Sequence, residues 1–285
     1  MLNKNHNILI TGGTGFLGQA LITKLSKKKI KHITVISRNE GQLIKLKEQF
    51  PFINILPGDI SNKFDLLKAF KNIDVIFHLA AFKHVLLAEE SPSLCISSNI
   101  IGTQNILELS LKYKIKFIIG ISTDKAAKVN GVYGATKLLH ERLFSEYEKI
   151  NKKTAYRTVR YGNVLYSTGS VLFKWREALK KNKPLIVTDL NATRFYWTVD
   201  HAINLIFDCL KYAKNSQPYV PKMKSLKLGD LLKATIEKYA NDPSRVKIKK
   251  IGLQQGENMH EIIDSSIPDS SEATKYKIEE IKKLI

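Results

Sequence analysis

The sequence predicts an α/β fold in which a Rossmann-type, doubly wound parallel sheet carries a small C-terminal substrate-binding lobe. Two observations support this fold class. Short apolar runs alternate with helical patterns along the chain, and the first run passes through a glycine-rich turn into an amphipathic stretch. We expect residues 1–165 to form the sheet domain and residues 166–285 to form mainly the lobe and C-terminal helices, with some later segments returning to the sheet domain.

The first predicted unit is a strand, a glycine turn and a helix at the start of the chain. The apolar run Asn7–Thr11 precedes the segment Gly12–Gly18, and an apolar-periodic stretch begins at Ala20. Glycines allow such a turn to bring the N–H groups of a helix N-terminus up to a pyrophosphate. The predicted dinucleotide-binding residues of this unit are Gly12, Thr14, Gly15, Phe16, Leu17 and Gly18.

The ends of the next strands indicate which dinucleotide binds. The second strand ends at Ser37 and Arg38, where NAD-binding proteins usually carry an acidic residue for the ribose. Because an arginine can bind a 2′-phosphate through two hydrogen bonds, we expect NADP, although Arg38 as an ordinary surface residue is the alternative. Asp59 and Ile60 are placed for the adenine, and the small Ala80 for close approach of a flat cofactor. Further strands are predicted at Ile53–Leu56, Asp74–Ala80, Lys116–Ser122 and Ala155–Val164.

Tyr133 and Lys137 are the first candidate catalytic pair. They lie four residues apart in a helical pattern, so their side chains share one face of the helix. A phenol with a pKa near 10 is a weak base at neutral pH, and a nearby ammonium favours the phenolate. We expect Tyr133 to accept a hydroxyl proton, with Lys137 and the cofactor beside it; an exposed surface pair is the alternative.

A second candidate pair follows the fifth strand. Thr123, Asp124 and Lys125 stand at its predicted carboxyl end, where parallel sheets bind ligands. An acid beside an amine can take a proton from carbon and give one to a leaving hydroxyl, which a simple alcohol dehydrogenase does not require. Lys125 can act as a base only if desolvation or a cationic cofactor lowers its pKa. A surface salt bridge is the alternative.

Together these motifs resemble the extended short-chain dehydrogenase/reductase superfamily. Within it, the chain is similar to the inverting UDP-N-acetylglucosamine 4,6-dehydratases of polysaccharide biosynthesis, from the N-terminus to about Glu261. The Thr-Asp-Lys and Tyr-xxx-Lys combination is more specific than the glycine turn. The segments that carry the resemblance are TGGTGFLG, SRN, GDI, HLAAFKHV, NIIGTQN, ISTDKA, YGATKL, RYGNV and TRF.

The resemblance implies a hydro-lyase whose tightly held NADP is reduced and reoxidised within one turnover. Tyr133, assisted by Lys137 and Thr123, would take the proton from the hydroxyl at sugar carbon four. Lys125 would remove the hydrogen at carbon five, and Asp124 would protonate the hydroxyl that leaves carbon six, with inversion at carbon five. Relatives form dimers and sometimes hexamers, so the resemblance also implies a homo-oligomer.

The resemblance further implies a set of residues that bind a UDP-linked sugar, of which Lys83 also lies near the cofactor. Tyr166 and Thr168 stand where the family usually has glycine and arginine, and Gln254 and Asn258 replace an arginine and a lysine. Loss of these positive groups leaves the nucleotide preference open. The implied substrate residues are Lys83, Asn163, Ser170, Val171, Thr188, Arg194 and Glu257.

Composition excludes several other classes of protein. The 46 Lys and Arg against 26 Asp and Glu give a net charge of +20, but only seven are arginine and the lysines are spread along the chain. This pattern favours a solvated surface over a nucleic-acid groove. Cys95 and Cys209 lack metal or redox spacing and are expected to be buried thiols. We expect a cytoplasmic protein with no bound metal, no membrane span and no signal peptide.

Three functions remain open from the sequence. A nucleotide-sugar 4,6-dehydratase uses both candidate pairs, whereas a 4-epimerase or 4-reductase needs Tyr133 and Lys137 but not Asp124 and Lys125. A non-catalytic NADP-binding protein is the third. The presence of both pairs favours the dehydratase. The remaining segment, 272–285, is predicted to be a charged surface helix.

Overall fold

The computed structural model describes residues 2–285. Short apolar segments form its strands, and the amphipathic segments between them form its helices. The strands are β1 (Ile8–Thr11), β2 (Ile33–Ser37), β3 (Asn54–Pro57), β4 (Val75–His78), β5 (Phe117–Thr123), β6 (Ala155–Tyr161), β7 (Asn163–Val164), β8 (Leu185–Val187), β9 (Thr193–Trp197), β10 (Ser225–Lys227) and β11 (Ile248–Lys250). The α-helices are α1 (Phe16–Lys27), α2 (Glu40–Gln49), α3 (Lys63–Ala69), α4 (Val85–Glu90), α5 (Pro92–Ile96), α6 (Gly102–Ser110), α7 (Val132–Ile150), α8 (Val171–Lys180), α9 (Val199–Tyr212), α10 (Leu228–Tyr239) and α11 (Ile278–Leu284).

The first six strands form one parallel sheet in the order β3-β2-β1-β4-β5-β6. This order confirms the predicted Rossmann-type, doubly wound sheet. Every residue of β1 and β4 is buried, because helices cover both faces of the sheet. The strand order reverses between these two central strands, so their carboxyl ends form the switch point at which such sheets bind ligands.

The predicted sixth strand, Ala155–Val164, is wrong in its length. The structure divides it at Gly162, and only β6 pairs with β5. A Cβ on Gly162 would lie 2.6 Å from the carbonyl oxygen of Phe195, so the close passage of β9 occupies the space that a side chain would need. Beyond the glycine, β7 pairs with β9 in a separate sheet of order β10-β9-β7.

The predicted C-terminal surface helix over residues 272–285 is also corrected. The helix is confined to α11, and its residue Ile281 and the following Ile285 are buried in the lobe core. The charged side chains on its other face pair with the lobe, as Lys282 does with Glu237 on α10. The sequence pattern was amphipathic, and the apolar stripe docks the helix.

The C-terminal half contributes to two of the apolar clusters of the protein. Helix α9 packs on α1 and β6, and its residue Cys209 is buried in the same apolar cluster as β1. Cys95 is also buried, so both thiols lie where they were expected. A second cluster around Trp175 fills the lobe. Within residues 2–285, each helix is too short or too polar to cross a membrane.

Candidate active site

The turn between β1 and α1 has the geometry of a dinucleotide cradle. Gly12 has a φ of +70°, and a Cβ there would lie 2.7 Å from the backbone nitrogen of Ala80. A Cβ on Gly18 would lie 2.5 Å from the Cα and carbonyl oxygen of Gly13. No side chain of residues 2–285 caps α1, so the N–H groups of its first turn can bind an anion. The predicted residues Thr14, Gly15, Phe16 and Leu17 form the rest of this turn and the start of α1.

Arg38 and Asp59 meet beyond the carboxyl ends of β2 and β3. The guanidinium lies 3.9 Å from Asp59 Oδ2, and the arginine side chain is 68% exposed. The other carboxylate oxygen of Asp59 accepts hydrogen bonds from the backbone and hydroxyl of Ser61. Ile60, which stands between Asp59 and Ser61 in the chain, is buried. An ion pair this long and exposed is weak, so Arg38 can turn towards another anion.

The end of β5 places three predicted catalytic residues together. Asp124 Oδ1 accepts hydrogen bonds from Thr123 Oγ1 at 2.8 Å and from Lys125 Nζ at 3.0 Å. Asp124 is 0% exposed, and its Oδ2 has no hydrogen-bond partner in the part of the chain that the structure describes. Burial raises the pKa of Asp124 even though the Lys125 ammonium opposes the change.

Glu261 is a member of this cluster that the sequence analysis missed. Its Oε1 lies 3.4 Å from Lys125 Nζ and 3.7 Å from Arg194 Nε, and the residue is 1% exposed. Asn258 donates a hydrogen bond to the other carboxylate oxygen at 3.2 Å. Glu261 stands outside any spacing pattern with residues 123–125, so only folding brings it to them.

Burial lowers the pKa of Lys125, but the carboxylates of Asp124 and Glu261 more than offset this effect. The net result is a pKa above the usual value for lysine. The desolvation that was expected to make Lys125 a base is present, and its counter-ions oppose it. In the protein alone, Lys125 is therefore an ammonium at neutral pH.

Tyr133, near the start of α7, lines one pocket with Lys125, Val85 and Asn258. The structure thus brings the phenol and the predicted acid–base pair to the same place. Burial raises the pKa of Tyr133 to about 12. The largest charge effect that opposes this rise comes from Lys125, not from the expected Lys137.

Lys137, one turn further along α7, has a different environment from Lys125. Its side chain is 4% exposed, and no ion pair of its ammonium is found within residues 2–285. Burial lowers its pKa to about 8, and the nearby Glu141 offsets only part of this change. The carboxylate of Glu141 is instead engaged by Arg160 and Ser122.

Two buried histidines, His78 at the end of β4 and His140 on α7, meet at Thr103. His78 contacts Thr11 Oγ1 at 2.8 Å and Thr103 Oγ1 at 2.9 Å, and His140 contacts the same Thr103 oxygen at 3.0 Å. Thr103 Oγ1 also donates to the Asn99 carbonyl. Its single proton is therefore used, and both rings donate to this oxygen. Burial lowers the pKa of His78 to about 3.

Asn99 connects the same region to the loop after β4. It lies in a π-helical turn, Ser97–Ile101, between α5 and α6. Its side chain accepts a hydrogen bond from the backbone of Phe82 and donates to the Phe82 carbonyl and to Thr136 Oγ1. π-Turns often occur at functional sites, and this one fixes the β4 loop against α7.

The loop after β4 also reaches the substrate half. Lys83 Nζ donates to the carbonyl of Thr168 at 2.9 Å, and burial lowers the pKa of Lys83. Asn163 in β7 pairs in register with Tyr196 of β9. Burial raises the pKa of Tyr196, and the charges of Lys125 and Asp124 are among the smaller effects on it.

The other predicted substrate residues are already bonded within the protein. Ser170 caps α8, which begins at Val171, and Thr188 accepts a backbone hydrogen bond from the lobe. Arg194 donates to the carbonyls of Thr193 and Met259. Their predicted role towards a substrate stays a prediction.

The segment 254–258 closes over the start of α7. Glu89 accepts a hydrogen bond from the backbone N–H of Val132 at 2.6 Å, and its second oxygen lies 3.3 Å from Gln255 Nε2. Asn130 donates to the carbonyl of Glu257 at 3.0 Å. The Glu257 carboxylate accepts from the backbone of Gln254, so it shapes the loop.

Tyr166, one of the residues that differ from the family pattern, contacts Tyr239 and Arg176 in the lobe. Tyr166 has a positive φ of 61°, and its hydroxyl lies 2.7 Å from the hydroxyl of Tyr239. The guanidinium of Arg176 stacks on both rings, 5.2 Å and 4.5 Å from their centroids. This cation is therefore held in the lobe by aromatic contacts.

The fold is the one found in solved nucleotide-sugar dehydratases and epimerases, as the resemblance implied. The chain belongs to the family described as polysaccharide biosynthesis protein, whose model matches residues 8–283. The X-ray structure of Pen from Bacillus thuringiensis is 33% identical with a TM-score of 0.92, over 100% of this chain and 98% of that chain.

Curated relatives carry several names. An uncharacterized membrane protein of Methanocaldococcus jannaschii is 38% identical over 99% of this chain and 85% of its own length. An inverting UDP-N-acetylglucosamine 4,6-dehydratase of Campylobacter jejuni is 35% identical over 98% of this chain and 82% of its own length. A UDP-glucose 4-epimerase of Rickettsia bellii is 33% identical over 91% of this chain and 77% of its own length. The family thus includes both dehydratases and epimerases of nucleotide sugars.

Proposed function

We propose that the protein is a nucleotide-sugar 4,6-dehydratase, a hydro-lyase that acts on UDP-N-acetylglucosamine with inversion at sugar carbon five. The observation that carries this proposal is the hydrogen-bonded Asp124–Lys125 pair, whose lysine lines the same pocket as Tyr133. The relative from Campylobacter jejuni, with its printed activity, supports the same reaction. We further propose cytoplasmic action as a homo-oligomer, a dimer or hexamer, which light scattering would test.

The cradle fits a nicotinamide dinucleotide, and we propose NADP. The turn at Gly12 and the uncapped start of α1 would hold the pyrophosphate, with Ala80 at the ring side and Asp59 at the adenine. Arg38, exposed and weakly paired, would bind the 2′-phosphate. When bound, the nicotinamide supplies a reversible acceptor for the hydride of carbon four.

Tyr133 would take the proton of the sugar hydroxyl at carbon four. In the protein alone its raised pKa of about 12 keeps the phenol protonated at neutral pH. Burial lowers the pKa of Lys137 to about 8, which is close enough to neutral pH for this lysine to take up and release a proton. Thr123 provides a second hydroxyl. Burial around these groups strengthens every charge interaction that a substrate brings.

The acid and the base for water loss would be Asp124 and Lys125. Their resting form is a carboxylate hydrogen-bonded to an ammonium. Transfer of one proton along that 3.0 Å bond gives a carboxylic acid and a neutral amine, without any change in total charge. The amine can then remove the proton at carbon five, and the acid can protonate the hydroxyl that leaves carbon six.

The substrate diphosphate would lie between the β4 loop and the lobe. Lys83 joins these two parts through Thr168, and Asn163 pairs in register with Tyr196 of β9. The amide side chains of Gln254, Gln255 and Asn258 can bind phosphate but without charge assistance. We therefore propose a UDP-linked substrate and expect its diphosphate to be bound mainly by hydrogen bonds.

A nucleotide-sugar 4-epimerase is the second candidate, because relatives from Rickettsia carry that name. Such an enzyme would use Tyr133 and Lys137. It would have no chemical use for a buried acid and amine beside the sugar.

The purified protein, incubated with UDP-N-acetylglucosamine and no added cofactor, should give a product lighter by one water. Mass spectrometry would detect it, and nuclear magnetic resonance would show the inverted carbon five. A product of unchanged mass with altered carbon four would indicate an epimerase. Unchanged substrate, with cofactor supplied as well, would contradict the proposed function.

A further inference from the structure

Glu261 has the position of a residue that acts through Lys125. It reaches the cluster from the segment after β11, and its 1% exposure leaves its carboxylate no contact with solvent. Three side chains of the protein hold it, namely Lys125 at 3.4 Å, Arg194 at 3.7 Å and Asn258 at 3.2 Å. Its backbone N–H is also fixed, because it donates to Ser270 Oγ at 2.7 Å.

The acidic and basic side chains of this cluster balance in charge. Asp124 and Glu261 are acids, and Lys125 and Arg194 are bases, so the four charges sum to zero. Isolated buried charges are costly, whereas a balanced and hydrogen-bonded set is tolerated. The titratable and charged groups that face Lys125 are Asp124 on its own turn, Tyr133 on α7, Arg194 and Tyr196 on β9, and Glu261 on the segment after β11.

We propose that Glu261 is a positioning residue that aims the Lys125 amine into the Tyr133 pocket and, with Arg194, sets the pH range in which the 124–125 pair works. This inference rests on the proposed dehydratase function. Glu261 does not face the pocket that Tyr133 and Lys125 line, so it acts through Lys125 rather than on the substrate.

The sign of the effect follows from the geometry. The Glu261 carboxylate favours the protonated form of Lys125, and the Arg194 guanidinium disfavours it. Asp124 and Lys125 share protons, so a change in the local charge moves both of their macroscopic titrations in the same direction. Removing the negative charge moves them to lower pH, and removing the positive charge moves them to higher pH.

The test is the pH profile of kcat/KM for water loss in three enzymes. Glu261→Gln keeps the shape and should shift the whole profile to lower pH, whereas Arg194→Gln should shift it to higher pH. Each unit of displacement changes the rate on a limb about tenfold. A residue that only stabilises the fold would lower activity at all pH values without moving the profile.

The matched control is Glu280→Gln, which makes the same charge change at a half-exposed pair with Lys224 and should leave the profile in place. If the wild type does not release water, the proposed function fails. If the wild type is active but both cluster variants leave the profile unmoved, or move it in one direction, the inference about Glu261 fails. If Glu261→Gln does not fold, a displacement of Arg194→Gln to higher pH supports the inference, and its absence overturns it.

Discussion

The carboxyl end of β5 and the second turn of α7 each carry a lysine beside the proposed substrate. The Lys125 side chain is 17% exposed, and Lys137 is 4% exposed. Lys125 lies between the carboxylates of Asp124 and Glu261, and its pKa is raised. Lys137 has no such counter-ion within residues 2–285, and burial lowers its pKa to about 8. Burial alone would act on both in the same direction, so the counter-ions make the difference.

The comparison separates two ways of using a lysine. The Lys125 ammonium neutralises the carboxylates of Asp124 and Glu261, so the charge balance of this cluster requires it. Burial holds the pKa of Lys137 at about 8, and this burial of an ammonium without a counter-ion lowers the stability of the fold. Residues placed for function often lower stability, and these two positions should respond in opposite ways to the same substitution.

The largest effect is expected from Lys125→Met. It should lower the rate of water loss about 10²- to 10⁴-fold, the range for a general acid–base group. It also leaves two buried carboxylates without their ammonium, so the free energy of unfolding should fall by about 3–5 kcal/mol. Stopped product assays and urea denaturation would measure the two effects, and retained NADP would show that the cradle is intact.

Lys137→Met should also reduce turnover, but it should stabilise the protein. The folded-state pKa of about 8 lies below the usual 10.5, so the fold disfavours the protonated form. The penalty, about 3 kcal/mol at most, is fully present below pH 8 and disappears as the pH rises to 10.5. Urea denaturation at pH 7 should therefore show a gain that shrinks at pH 10. A loss of stability at pH 7 would contradict the comparison.

His78 extends the comparison to another buried base that, like Lys137, has no counter-ion within residues 2–285. Because the pKa of His78 is lowered from 6.5 to about 3, the contribution of His78 to stability should be constant above pH 6.5 and fall below it. Between pH 6.5 and pH 5 the loss is about 2 kcal/mol. His78→Leu should reduce this slope, while the same change at the exposed His32 should leave it unaltered. If the free energy of unfolding depends on pH with the same slope in the wild type and both variants, His78 is not the group responsible.

The smallest effect is expected at Arg38. Replacing it by alanine removes one charge-assisted contact, so NADP binding should weaken about tenfold while NAD binding changes little. Fluorescence titration with each dinucleotide would measure this. The control is Arg245→Ala, at an exposed arginine far along the chain. Equal weakening of both dinucleotides would mean that Arg38 does not read the 2′-phosphate.

The local parts of this molecule could be predicted from its sequence. The strand, turn and helix around Gly12, and the spacing of Tyr133 and Lys137, depend on residues close together in the chain. The division of the sixth strand at Gly162 could not, because it depends on the approach of Phe195. Glu261 was missed for the same reason: its partners are distant in sequence, and no spacing marks a buried carboxylate that pairs across the fold.

The proposed acid–base role of Asp124 and Lys125 is tested most directly by measuring solvent exchange of the hydrogen at carbon five. Turnover of UDP-N-acetylglucosamine in D₂O should place deuterium at carbon five of the dehydrated product, because Lys125 removes that proton and solvent replaces it. Lys125→Met, with its cofactor in place, should lose water and take up deuterium at least about a hundredfold more slowly than the wild type. A product that carries no deuterium at carbon five, or full exchange in the Lys125 variant, would contradict the role of the acid–base pair.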